Sequence, residues 1–310
     1  MFKVKLQGNW VPSFLPPSYL SPFLILLALI LLALSVFISS VMAFTVPNNT
    51  KEIGKNSSTN GLSWPNGAKA AISLSYDDAL PSQLNNAVTH LNAKGFKGTF
   101  YLTLSAPTVK ARLADWQSVA KQGHELGNHS INHPCRASLP NREWVSAAND
   151  LDKKTAQEYK QELFQANARL NKIDGKTTRT LTLPCGDKIV GKEPILPLIS
   201  DHFVGIKASM SKAITPIETL DVKNLSVWSP NNVDGDSLIE YAKQAASIGG
   251  MGNYTFHGIG GDHLAISNKA HQTLLKHLAD NPKTYWVATF KEIALYLNAR
   301  QKKSKDINQN

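Results

Sequence analysis

Gly123-His124-Glu125-Leu126-Gly127-Asn128-His129-Ser130-Ile131-Asn132-His133-Pro134 is the stretch on which the fold turns. Glu125–Asn128 reads as a short strand, and two imidazoles follow it, His129 and His133, four positions apart. That spacing is one helical turn, so both rings can reach the same point. Well upstream, the apolar run Ala71–Tyr76 closes on an acidic pair, Asp77 and Asp78. Two imidazoles and one carboxylate are the ligand set of an open catalytic metal site. The second aspartate is left free to act as a base.

Working outward, short apolar runs alternate with amphipathic stretches from Ala70 onward. The strands expected are Ala71–Tyr76, Gly98–Thr103, Glu125–Asn128, Arg179–Leu183, Phe203–Lys207, Leu225–Trp228, Met251–Phe256 and Thr284–Ala288. Helices are expected over Leu80–Ala93, Thr108–Gln122, Trp144–Ile173, Ser237–Ile248, Asn268–Ala279 and Phe290–Arg300. Such alternation predicts parallel βαβ units and an α/β fold, here a distorted (β/α) barrel of seven or eight strands. Asp77, Asp78, His129 and His257 each follow a predicted strand. They therefore fall at the C-terminal face, where barrels of this kind build their sites.

The chain resembles the polysaccharide deacetylase family (NodB homology, carbohydrate esterase 4), in a divergent branch. Ser75-Tyr76-Asp77-Asp78-Ala79 stands for its first motif, Gly123 to His133 match its second throughout, and Asn253-Tyr254-Thr255-Phe256-His257 resembles its late strand ending in histidine. The resemblance spans roughly residues 68 to 300 and implies a NodB-like barrel. It implies one divalent ion, commonly zinc, held by Asp78, His129 and His133. It further implies a metal-bound water attacking an acetyl carbonyl, with Asp77 as base and His257 as acid. The two aspartates can serve one site only if the strand turns, as Ala79-Leu80-Pro81 allows.

The departures are specific. Where the family carries R-x-P-[FY]-G, this chain has Thr182-Leu183-Pro184-Cys185-Gly186, so the bracing arginine is absent. Trp228 keeps the tryptophan of a further motif without its acid. Either Asp187 and Arg179 substitute, or the base is tuned differently. The Cys185 backbone N–H is an expected oxyanion donor, a role needing no particular side chain, and Trp228 an expected substrate contact. His124 is expected to serve a structural hydrogen bond. His90, His202, His271 and His277 read as surface or core residues, and His263 is given no catalytic role. Cys135 and Cys185 follow two motifs that must converge, so they are expected to pair, the rivals being free thiols or Cys185 as a soft metal ligand.

Domain organisation is read as residues 1–44, a membrane anchor or signal peptide; 45–67, a polar linker; 68–300, the catalytic domain; and 301–310, a basic tail. Phe23 to Phe44 contains no charged residue and is long enough to span a bilayer. Lys3 and Lys5 precede it, and Val41-Met42-Ala43 offers a cleavage site. Both readings export the domain: anchored outside the cytoplasm, or secreted or periplasmic. Asn48-Asn49-Thr50 and Asn56-Ser57-Ser58 match glycosylation sequons. The net charge of +10 sits half in the two tails, with no basic run interleaved with aromatics, so nucleic acid is excluded as a partner. The expected partners are an acetylated glycan or oligosaccharide and, through the N-terminal segment, a membrane. Oligomeric state is not legible. The competing functions are an O-acetyl esterase, a hydrolase of non-sugar C–N bonds, and a non-catalytic glycan-binding envelope protein.

Overall fold

The computed structural model describes residues 62–308. The predicted anchor and most of the predicted linker lie outside them. Among the described residues no helix is long and apolar enough to cross a membrane.

Eight parallel strands form one sheet: β1 (Ala70–Asp77), β2 (Thr99–Leu102), β3 (Glu125–Asn128), β4 (Thr180–Thr182), β5 (Gly205–Met210), β6 (Leu225–Val227), β7 (Met251–Phe256) and β8 (Tyr285–Ala288). Seven of them make a nearly closed barrel. β1 pairs with β2 on one side and with β7 on the other, in register from Ala71 opposite Met251 to Tyr76 opposite Phe256. β2 through β6 follow in order. Closure comes from a single residue beyond β6: Trp228 donates to Asn253 O (2.9 Å) and accepts from Thr255 N (2.8 Å). β8 pairs with the first half of β1 as an eighth strand.

Strand periodicity explains both faces. Ile72, Leu74 and Tyr76 of β1 point outward into the main core with the flanking helices, while Ser73, Ser75 and Asp77 line a polar interior. That interior holds a fully buried lysine, Lys207, whose Nζ donates to Ser75 Oγ, Ser73 Oγ (3.4 Å) and Tyr254 O (3.3 Å). The ammonium also lies over the rings of Phe290 (5.1 Å) and Tyr101 (5.5 Å). Burial pushes Lys207 down to about 7, against the pull of Asp77 and Glu125. Below it the barrel floor is plugged by Tyr101, Met251 and the first turns of the helix Phe290–Asn308. Trp64 joins this plug, so the packed domain begins within the segment read as linker. The same helix carries the chain past residue 300, into the predicted tail.

All eight expected strands form, with β5 shifted a few residues onward. Two expected helices are not continuous: Thr108–Gln122 breaks at Arg112 (φ -125°, ψ 37°) into Pro107–Ala111 and Leu113–Lys121, and Trp144–Ile173 is interrupted as well. The helix there, α1 (Ala156–Asp174), starts after Thr155, whose hydroxyl accepts from Glu158 N while the Glu158 carboxylate accepts from Thr155 N. Trp144 lies outside that capping box, in a loop.

Two buried histidines carry an acid liability. His124 accepts from Gly98 N (3.0 Å), and His271 sits between Tyr76 OH (2.7 Å) and His90 Nδ1 (3.1 Å). Burial, helped by Lys97, lowers His124 to about 4; burial, helped by His90, lowers His271 to about 3. The unfolded chain takes up protons near 6.5 and the fold does not. Their stabilising contribution is therefore complete above pH 6.5 and is lost as pH falls toward 4. Denaturant midpoints are expected to drop across that window, and to drop less in the His124→Gln, His271→Gln double variant. Identical slopes for the two proteins would refute this account.

Candidate active site

β1 ends in a backbone conformation that few residues adopt. Asp78 and Ala79 have φ of 79° and 57°, two successive left-handed residues. This is the turn that lets neighbouring aspartates face one cleft, although a strand alone would send them to opposite sides. Ala79, where the family motif has glycine, holds the conformation with its carbonyl bonded by Thr108 Oγ1.

His129 and His133 also converge, but not on a helix as their spacing suggested. They lie in a loop containing left-handed Ser130 (φ 63°) and His133 (φ 52°). The loop is pinned bond by bond. Asn128 Nδ2 donates to Leu163 O and Asn167 Oδ1 on α1, and Asn128 Oδ1 accepts from Ser130 N. Ser130 Oγ accepts from His133 N (2.9 Å), while Glu162 accepts from Ile131 N and Asn132 N. Gly127 is required one step earlier: a Cβ there would lie 2.4 Å from the Tyr101 ring.

The resulting cleft, about 770 Å³, is lined by Asp77, Asp78, His129, His133, Cys185 and His257 among others. Asp78 Oδ1 lies 3.4 Å from both His129 Nε2 and His133 Nε2. Two ligands each ~2.1 Å from one tetrahedral ion would stand roughly 3.4 Å apart, so the donor set fits a divalent ion. The tautomer fits as well: His129 Nδ1–H donates to Thr182 O (2.8 Å), which aims Nε2 at the cleft. Burial lowers His133 to about 4, helped by the charge on His129. Burial alone would raise Asp78; the neighbouring imidazoles of His129, His263 and His133 outweigh it and hold the carboxyl far below the usual range.

Asp77 is fully buried beside them, its Oδ2 3.8 Å from His129 Nε2, and neither carboxylate oxygen has a hydrogen-bond partner. Burial raises it to about 7, against His129 and Lys207. His257, across the cleft, lies 3.8 Å from Asp78 Oδ2, and Ser229 Oγ meets its Nδ1 at 3.3 Å. Burial lowers His257 to about 4.

Cys135 and Cys185 are joined by a disulfide, with Cα atoms 6.0 Å apart, which leaves neither sulfur as a thiolate ligand. Cys185 lines the cleft, and its N–H donates to no backbone acceptor among the described residues. Trp228 is different from the expectation. Its ring packs on Tyr241 (4.9 Å) and Tyr254 (5.9 Å) under Lys212, away from the cleft lining, because its backbone is committed to barrel closure. Nor do Arg179 and Asp187 replace the missing arginine. Arg179 binds Asp174 and Leu126 O at the opposite end of β4, and Asp187 accepts from Arg136 N (2.8 Å). The interior cation nearest in effect to Asp77 is Lys207, a residue sequence reasoning passed over because it closed an apolar run. His263, given no catalytic role from the sequence, also reaches the site: its Nε2–H donates to Asp78 Oδ2 (2.9 Å).

The family profile of polysaccharide deacetylases matches residues 65–193, which include the aspartate pair and both histidines of the loop. Residues 65–193 thus resemble polysaccharide deacetylases in sequence. No curated protein matches it. Among solved structures, a protein titled as a polysaccharide deacetylase from Mycobacterium smegmatis superposes with TM-score 0.56 at 15% identity, over 77% of this chain and 94% of that one. A family 4 carbohydrate esterase of Bacillus subtilis, PdaA, shares 19% identity over 72% of this chain and 79% of its own, with TM-score 0.47. A family 4 pseudoenzyme of Bacillus anthracis shares 15% over 73% and 66%, with TM-score 0.46.

Proposed function

We propose that this protein is a metal-dependent hydrolase that removes acetyl groups from an N-acetylated saccharide. The observation that carries the reading is the pair of 3.4 Å approaches of His129 and His133 to one oxygen of Asp78, beside the unpartnered carboxylate of Asp77. A divalent ion held by Asp78, His129 and His133 would polarise the acyl carbonyl and acidify a water. Asp77 takes the proton from that water: its buried carboxylate has no competing donor, and a base poised near 7 suits the task. The N–H of Cys185, a residue of the cleft lining, is the candidate oxyanion donor. His257, met by Ser229 at Nδ1, stands across the cleft to relay to the departing amine the proton that Asp77 took from the water. The acidic and imidazole groups are all present, which separates this chain from a glycan-binding protein that has lost its base or a ligand.

The disulfide and the apolar segment Phe23–Phe44 both support export of this domain, anchored to a membrane or released. The decisive assay is acetate release from N-acetylated oligosaccharides by the zinc-loaded protein, with O-acetylated glycans and non-sugar amides alongside. Acetate from the N-acetylated set, abolished by chelation, is the expected result. Release from O-acetylated glycans alone would make it an esterase, and no turnover on any substrate would leave a binding protein.

A further inference from the structure

Asp78 accepts one hydrogen bond from a described side chain at normal distance, and it comes from His263, 185 positions away. The two carboxylate oxygens are thereby divided. Oδ1 faces His129 and His133, while Oδ2 is occupied by His263, with His257 farther off at 3.8 Å. Nothing in the local backbone performs that division, since Asp78 sits at a strand end in a left-handed conformation.

The loop that carries His263 is built to hold it. Asp262 Oδ2 accepts from Ser82 N (2.7 Å), Ser82 Oγ accepts from Ile259 N (3.1 Å), and Asn86 Nδ2 donates to Ile259 O (2.7 Å). Across the loop, Gly258 N donates to His263 O (3.1 Å) and Ile266 N to Gly258 O (3.1 Å). The chain doubles back so tightly that a Cβ on Gly258 would come within 2.0 Å of Gly261 O. His263 is thus half-exposed to solvent on a tied loop, and its ring reaches inward to one carboxylate oxygen.

We propose that His263 is a positioning residue that holds Asp78 as a one-oxygen ligand. With Oδ2 engaged, only Oδ1 is presented toward the two imidazoles, and the rest of the ion's coordination is left for water and substrate. The inference rests on the proposed ion site. It differs from a role as a ligand, for which the ring nitrogen itself would be required, and from a substrate contact, which would not touch ion affinity in the absence of substrate.

Zinc affinity of the full-length protein, measured by chelator competition without substrate, tests it in four forms: wild type, Asp78→Asn, His263→Leu and His263→Gln. His263→Leu is expected to bind zinc roughly 10–100-fold more weakly. His263→Gln, which keeps an N–H donor, is expected to recover most of that loss. Wild-type affinity in His263→Leu would overturn the proposal, and a His263→Gln protein as weak as His263→Leu would make the ring a ligand instead. A wild type that binds no zinc, or an Asp78→Asn protein that binds it undiminished, would instead bring down the ion site beneath it.

Discussion

Changing Asp77 to Asn is expected to lower turnover by roughly 10²–10⁴-fold while divalent-ion content stays at the wild-type level. The substitution keeps the volume of a fully buried side chain and removes only its charge and basicity. Because neither oxygen of Asp77 has a hydrogen-bond partner, the folded protein carries a desolvated carboxylate whose burial costs stability, offset only by the charges of His129 and Lys207. The melting temperature should therefore hold or rise as activity falls, the pattern of a residue kept for function at the expense of stability. Turnover near wild type in Asp77→Asn would end its assignment as the base.

Replacing His129 and His133 together by Ala is expected to remove the ion and all measurable activity. The two nitrogens are the imidazole donors that meet Asp78 Oδ1, and one carboxylate oxygen does not retain a divalent ion alone. The variant should also lose about 1–3 kcal/mol of stability, because Thr182 O is left without the donor that His129 supplied. Metal analysis after dialysis and thermal melts give both readouts. An ion that survives the double substitution in stoichiometric amount would place the site elsewhere.

The legible part of this molecule is its period and its punctuation. In β1 the alternation of Ile72, Leu74 and Tyr76 with Ser73, Ser75 and Asp77 announces a strand with one apolar face. The chemistry at the ends of β1, β3 and β7 announces the face on which the site is built. What stayed hidden was whatever depends on backbone handedness or on distant partners. The spacing of His129 and His133 suits a helix, and only the left-handed Ser130 and His133 turn it into a loop with the same convergence. His263 looks like one more loop histidine until the fold brings it to Asp78. Lys207 reads as the polar end of an apolar run, and the ring of serines, tyrosines and Phe290 that accepts it comes from four other segments. Trp228 matches a motif by name, and its ring nevertheless belongs to the core.

The closure at Trp228 divides the barrel mechanically. β7 is bound to β1 along six paired positions, whereas its other edge is held to the residue after β6 by two hydrogen bonds. Local opening follows boundaries where few bonds must break, and this seam is one of them, as is the single paired position that joins β3 to β4. Asp78, His129 and His133 ride on the continuous β1–β3 side. Ser229 and His257 stand on opposite lips of the seam, one just past Trp228 and the other at the end of β7. Amide hydrogen exchange at Trp228 and Thr255 should outpace exchange along β1, and each such opening separates the proposed acid from the serine that aims it while leaving the ion-binding groups undisturbed.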